Sequence, residues 1–260
     1  MSAATRLRLA AIGYGRMGRA VAAAARERGH EVVAVVSPHA LEATHRSVDS
    51  LAPGTIDVAI EFTHGSVAET VVNQLLERKL ATVSGATGWN EGVERMRAVA
   101  AQQRVGFLWA PNFSLGVAVT AELAVRAAAA LGALGGWSPY VFEEHHQAKR
   151  DAPSGTARLL AERIVSAMPG KTGYGLAPAD APVPRELVPV AWVRAGAIPG
   201  THRIGFDADF ETLEIVHRVR DRATFAHGAV RAAEWLVSQR APVTLQQFVA
   251  SIWDSAKESD

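Results

Sequence analysis

The chain has 260 residues, is 48% hydrophobic and 20% charged, and carries a formal net charge of +1. Such a composition fits an ordinary globular protein, and the balanced charge supplies no overall field toward nucleic acid or an anionic membrane. The absence of cysteine excludes disulfides, thiolate metal sites and a thiol nucleophile, and sets the expectation of a reducing, cytoplasmic setting.

The segment Met1–Arg6 leads into an apolar run too short to span a bilayer and shows no signal-peptide cleavage pattern. Apolar runs then alternate with amphipathic patterns. Leu7–Ile12 reads as a buried strand, Met17–Arg28 as a helix, and the β-branched Glu31–Val36 as a second strand. Asp57–Glu61 is a third strand and Val67–Lys79 a helix; Ala81–Ser84, Glu91–Gln103 and Val105–Trp109 continue as strand, helix and strand. Strands separated by helices imply a parallel sheet covered on both faces. After Pro111-Asn112 the pattern changes. A helix is expected over Val117–Leu131, stopping at Gly132, then a strand over Tyr140–Glu144 that delivers His145 and His146. A helix follows over Ser154–Ala167, and Met168–Pro189 reads as a long loop. Val190–Arg194, Thr201–Phe206 and Leu213–Val219 read as strands with no helix between them, hence an antiparallel or mixed sheet. Helices over Ala226–Gln239 and Leu245–Ser255 close the chain. Short Ala-rich runs such as Val21–Ala25 and Ala127–Leu131, flanked by Arg or Gly, read as helix faces rather than membrane spans.

Gly13-Tyr14-Gly15-Arg16-Met17-Gly18 is a G-x-G-x-x-G turn between a predicted strand and a predicted helix. In that context Gly13 allows the tight turn, Gly15 lets backbone approach a pyrophosphate, and Gly18 lets helix and strand pack closely. The helix N-terminus favours the pyrophosphate charge. The expected fold is therefore α/β: an N-terminal Rossmann-type, doubly wound parallel sheet with a second α+β domain on a mixed or antiparallel sheet. Residues 1–112, completed by helices in 226–260, form the dinucleotide-binding domain; residues 113–225 form the substrate-binding and oligomerisation domain. After the second strand stands Ser37, where a carboxylate would bind the ribose hydroxyls of NADH. A 2′-phosphate meets no repulsion there, so NADPH is expected to be accepted, with NADH as the other candidate. Gly85-Ala86-Thr87 and Ala110-Pro111-Asn112-Phe113 fall at the carboxyl ends of further strands, where open sheets bind ligands.

The run from Glu143 to Thr156 holds His145, His146 and Lys149 just before a Pro-Ser-Gly-Thr turn that opens a helix. It gathers a group that titrates near neutrality, a cation and a row of free backbone N–H groups. All three suit a proton transfer beside a bound anion. The histidines His30, His39, His64, His202, His217 and His227 show no metal-ligand spacing, and no metal is expected.

These motifs occur in order with Glu61-Phe62-Thr63, Asn112-Phe113-Ser114, the block Glu144 to Thr156, and Thr224-Phe225-Ala226-His227-Gly228-Ala229. Together they resemble the 4-hydroxy-tetrahydrodipicolinate reductase (dihydrodipicolinate reductase) family over nearly the whole chain. The resemblance implies an NAD(P)H-dependent oxidoreductase of lysine and diaminopimelate synthesis acting on a cyclic imine dicarboxylate. It implies His145 as proton donor or acceptor and Lys149 as catalytic proton donor. His146, Gly155 and Thr156 fall at substrate-binding positions. Gly13, Tyr14, Gly15, Arg16, Met17, Gly85, Ala86, Thr87, Ala110, Pro111, Asn112 and Phe113 fall at cofactor-binding positions. It also implies a homotetramer built through the sheet of the second domain. The sequence departs from the family pattern at Ser37, at Ala86, at Pro111 and at Gly65. Two rival readings are a related imine or amino-acid dehydrogenase, which has no need of the His145-His146-x-x-Lys149 cluster, and an NADP-sensing protein without turnover, which has no use for a proton donor.

Overall fold

A computed structural model of the chain describes residues 5–52 and 54–257, with side chains through 254. Expectations that touch residues 1–4 and 258–260 lie outside the described residues. In chain order the elements are β1 (Arg8–Ile12), α1 (Arg16–Glu27), β2 (Glu31–Val36), β3 (Val58–Glu61), α2 (Gly65–Glu77), β4 (Ala81–Ser84), α3 (Asn90–Gln103) and β5 (Phe107–Trp109). They continue as α4 (Leu115–Leu134), β6 (Ser138–His145), α5 (Gly155–Ala167), β7 (Gly173–Gly175), β8 (Leu187–Arg194), β9 (Thr201–Asp207), β10 (Thr212–Arg218), α6 (Ala223–Leu236), β11 (Pro242–Val243) and α7 (Leu245–Lys257). The chain divides into two compact units: residues up to Leu115 with those from Ala223 onward, and Gly116–Arg222.

The first unit is built on a six-stranded sheet in the order β2-β1-β3-β4-β5-β11, with every pairing parallel. Its strands are apolar because helices cover both faces. The chain runs outward from β1 to β2 and then returns to the other side of β1 with β3, so the strand order reverses between β1 and β3. That reversal opens a crevice at the strands' carboxyl ends. Helix α6 packs against α1, β3 and β4, so the end of the chain completes the unit formed by its beginning.

An ion-paired cluster holds that return in place. Arg28 donates twice to Glu234 of α6, at 2.6 and 2.8 Å, and His30 Nε2 lies 2.6 Å from the same carboxylate. The other ring nitrogen of His30 accepts from the Leu7 backbone N–H. Burial alone would raise the Glu234 pKa, but the Arg28 and His30 partners outweigh it and hold the carboxyl below its ordinary range.

The second unit is built on a five-stranded mixed sheet in the order β10-β9-β6-β8-β7. β6 pairs parallel with β8 and antiparallel with β9. One face packs on α4 and α5 through Ala124, Ala128, Val141, Leu160, Ile164, Val190, Ile204 and Phe206.

Several boundaries differ from the sequence expectation. Helix α4 does not stop at Gly132 but at Gly135-Gly136, both at positive φ. Gly132 is a packing glycine instead, because a Cβ there would lie 2.7 Å from the Pro169 ring. The expected loop 168–189 contains β7 and the start of β8. Pro189 is tolerated there because pairing of β8 with β6 begins only at Val190. The two-residue β11, absent from the expectation, is too short to show a period. Helix α4 has the length and mean hydropathy, 1.6, of a membrane span. It seats Ala121, Ala124 and Ala128 in the core of the second unit, and its more exposed side carries a Glu122–Arg126 ion pair.

Removing the Glu234 carboxylate leaves Arg28 and His30 without their anion. Glu234→Ala should therefore lower stability by roughly 2 kcal/mol at neutral pH, between exposed and fully buried ion pairs. The folded pKa of Glu234 is depressed, so its contribution is present above the ordinary glutamate range and is lost as pH falls through the folded value. Urea unfolding of both proteins should show a gap at pH 7 that closes in acid.

Candidate active site

In the first unit the crevice is lined by the turns that follow each strand. Gly13, at φ +82°, makes the turn after β1 that only glycine adopts readily, and its N–H donates to Val36 O at 2.9 Å. A Cβ on Gly13 would lie 2.6 Å from the Phe62 carbonyl, so the turns after β1 and β3 touch. A Cβ on Gly18 would lie 1.8 Å from the Gly13 carbonyl, so α1 sits directly on the turn. Gly15 is different. Its Cβ would meet nothing within 4 Å, and as the N-cap of α1 it offers no side-chain oxygen to the first helical N–H groups. The arrangement fits a pyrophosphate: open space faces the turn, and the helix start is uncapped by any side chain.

The neighbouring turns are fixed from below. Glu61, fully buried at the end of β3, accepts from the Thr63 N–H, the Thr63 hydroxyl and the Ser84 hydroxyl. Burial pushes its carboxyl up despite those hydrogen bonds. Gly85 packs against the Phe62 ring, leaving no room there for a side chain. The Ala86 carbonyl accepts from both Trp89 Nε1 and Trp109 Nε1, at 2.9 and 2.8 Å, which holds the Gly85-Ala86-Thr87 turn. After β5, Asn112 Oδ1 accepts from the Ser114 N–H at 2.8 Å, Pro111 is exposed and Phe113 is buried against Phe62. Phe113 is thus a core residue under this loop, and its carbonyl lies against Gly228 of α6. Ser37 is also buried; its Oγ accepts from the Ala40 and His39 N–H groups and shapes the turn after β2.

In the second unit the buried side of β6 changes from apolar to polar toward its end. Successive inward positions are Val141, Glu143 and His145. Glu143 has no exposed surface. It accepts from the Ser154 N–H at 2.8 Å, from the Ser154 hydroxyl, and from Arg194 Nη2 at 2.7 Å. Its second oxygen lies 3.3 Å from His145 Nδ1 and 3.4 Å from His202 Nε2. Burial alone would raise this carboxyl's pKa, but the neighbouring His145 and His202 rings, the Ser154 hydroxyl and the Arg194 guanidinium hold it well below the usual carboxylate range. Ser154 is the N-cap of α5, accepting from Ala157 N–H at 3.2 Å. Gly155 follows exposed and Thr156 half-buried. Lys149 Nζ sits 2.7 Å from Asp151 Oδ1. Burial opposes ionisation of Asp151, and the Lys149 ammonium and the Gly155 N–H overcome it.

His145, Lys149, Gly155 and Thr156 therefore gather in one unit, and the glycine turn with Gly85 to Thr87 and Ala110 to Phe113 in the other. Glu143, Arg194 and His202 join this cluster without being marked by any sequence motif. Strand alternation puts Glu143 on the same side as His145 and Glu144 on the other, a signal the sequence did contain. Arg194 and His202 arrive only through register, Arg194 opposite His145 and His202 opposite Glu143. Ligating atoms of Glu143, His145 and His202 lie within 4.8 Å of one another. However, both carboxylate oxygens are already engaged, and the Arg194 guanidinium supplies the positive charge a metal would bring.

The fold and site define a class: an α/β dehydrogenase-type protein with a dinucleotide-binding sheet and an α+β unit that holds a buried cluster of titratable side chains. Residues 7–113 match the profile for the dihydrodipicolinate reductase N-terminus and residues 116–248 the profile for its C-terminus. The chain is 32% identical over 247 residues to a 4-hydroxy-tetrahydrodipicolinate reductase of Christiangramia forsetii, covering 95% of this chain and 99% of that protein. It is 35% identical over 228 residues to one from Akkermansia muciniphila, covering 85% and 88%. A dipicolinate-bound dihydrodipicolinate reductase from Paenisporosarcina sp. superposes with a TM-score of 0.78 at 22% identity, covering 92% of this chain and 98% of that one. The chain belongs to the dihydrodipicolinate reductase family.

The two glycines after the turn make opposite predictions. Gly15→Val should cut NADPH affinity by more than tenfold in calorimetry while the melting temperature stays within a few degrees, because its Cβ meets only open space. Gly18→Ala should destabilise the fold by about 1–3 kcal/mol, because its Cβ meets a backbone carbonyl that cannot move aside.

Proposed function

We propose that this protein is an NAD(P)H-dependent oxidoreductase that reduces 4-hydroxy-tetrahydrodipicolinate to tetrahydrodipicolinate in lysine and diaminopimelate synthesis. The observation that carries the reading is that Lys149 and the start of α5 already hold a carboxylate, that of Asp151, beside a buried histidine. The same groups suit a carboxylate of a cyclic imine dicarboxylate. Converting the 4-hydroxy compound to the product adds a hydride and a proton and releases water.

The nicotinamide cofactor, when bound, supplies the hydride. Gly13, Tyr14, Gly15, Arg16 and Met17 would hold its pyrophosphate, and Ser37, Gly85 to Thr87 and Ala110 to Phe113 would flank its two nucleoside ends. Lys149, His146, Gly155 and Thr156 bind the substrate carboxylate and fix the ring, an orientation effect. Their positive potential stabilises the negative charge that develops as the ring is reduced. His145 or Lys149 then delivers the proton to the neighbouring carbon.

The chain's first unit is assigned to the dinucleotide and the second to substrate and assembly. The outer side of the second sheet carries Phe142, Ala191, Val193 and Val216, and Val193 and Val216 are 41% and 38% exposed. The same side carries Glu144, Arg203 and Glu214; exposed apolar side chains set among charged ones suit burial between copies, so we assign a homotetramer assembled there. The reading places the enzyme in the cytoplasm.

His145→Ala and Lys149→Ala should each lower turnover by about a hundredfold to ten-thousandfold, with cofactor affinity near wild type. A spectrophotometric assay with freshly generated substrate, following loss of NADPH absorbance, checks this; near-normal turnover in both variants would sink the assignment. Wild type should use NADPH at least as well as NADH. Ser37→Asp should move the kcat/KM ratio toward NADH by about 1–3 kcal/mol, since a carboxylate repels the 2′-phosphate and binds ribose hydroxyls. An aspartate oxygen accepts the same N–H groups as Ser37 Oγ, so the turn survives the change.

A further inference from the structure

We infer that Glu143 is a positioning residue for His145: its carboxylate accepts the Nδ1 proton of the imidazole, fixing the ring so that Nε2 is the nitrogen that exchanges a proton with the substrate. The inference rests on the proposed reaction only for its kinetic consequence; the pairing itself rests on geometry.

His145 Nδ1 is sealed from solvent and has one anionic neighbour, the Glu143 oxygen at 3.3 Å. The N–H does not point along that line closely enough to form an aligned hydrogen bond. Catalytic hydrogen bonds are often long or skewed before substrate binds and tighten afterwards. On the far edge of the ring, a Cβ at residue 200 would come within 3.0 Å of Nε2, and that residue is Gly200, at φ +147°. Glycine keeps that edge clear. One nitrogen is thus turned into the protein against a charge, and the other lies over a residue that carries no side chain.

The groups around the carboxylate explain why it accepts rather than donates. Arg194 from β8, Ser154 from the start of α5 and His202 from β9 all face Glu143, and His217 of β10 lies opposite His202. Arg194 and Ser154 keep the carboxylate charged. The His202 ring meets the His145 ring edge-on, with centroids 5.1 Å apart at 71°, and so limits its rotation. A carboxylate that orients a histidine and selects its tautomer has a measurable role in proton transfer without itself taking the proton. Ser154 has a second consequence. The same hydroxyl caps α5 and binds Glu143, so the anion-binding helix start and the orienting carboxylate are fixed to each other.

The test uses the full chain labelled with ¹⁵N-histidine, with His145 signals assigned by their loss in H145N. Nitrogen shifts distinguish the Nδ1–H from the Nε2–H tautomer. Wild type should show His145 as Nδ1–H in its neutral form, and E143Q should shift it toward Nε2–H. E143D, which keeps the charge, should restore the wild-type signature in part. In parallel, kcat of E143Q should fall by about a hundredfold, while substrate KM and NADPH affinity change less than about threefold. If E143Q fails to fold because Arg194 is left unpaired, E143Q/R194M removes both charges and carries the same measurement. An unchanged tautomer in the folded variant overturns the inference. A changed tautomer with unchanged kcat upholds the pairing and overturns His145 as the proton source.

Discussion

The second unit is organised by one buried negative charge. Taking an ionised carboxylate out of water costs several kcal/mol unless fixed partners replace its hydration. Glu143 has no contact with solvent, so the partners must be built in. They come from elements distant in sequence: the cap of α5, the end of β8 and the middle of β9. Satisfying that charge dictates where α5 begins, which side chain ends β8, and how His145 is oriented. Stability and site geometry are hard to separate here, because Ser154, which donates to Glu143, also caps the start of α5.

The first unit solves a different problem with backbone. A pyrophosphate needs N–H donors at close range, and side chains would stand in the way. The turn after β1 therefore carries glycines with distinct duties. Gly13 bends, Gly18 lets α1 sit on the turn, and Gly15 leaves space. A second buried carboxylate, Glu61, ties the turns after β3 and β4 together from beneath. Unlike Glu143 it has no cationic partner among its hydrogen bonds, so burial raises its pKa, whereas His145, His202, Ser154 and Arg194 together lower that of Glu143.

The sequence by itself determined the parallel sheet, the glycine turn and the helix start at Ser154, because these depend on local period, backbone freedom and capping within a few residues. It also contained the alternation that puts Glu143 beside His145, although adjacent acidic residues masked it. What the tertiary structure decided is everything that depends on register. Arg194 and His202 reach Glu143 only because β8 and β9 flank β6 at particular offsets. Gly132 packs rather than terminates because Pro169 happens to lie against it. The short strands β7 and β11 exist only as edges of sheets whose other strands are already formed. A residue's type and spacing fix what it is able to do, but partners drawn from distant strands fix what it meets, and long-range pairing leaves no periodic trace in a single chain.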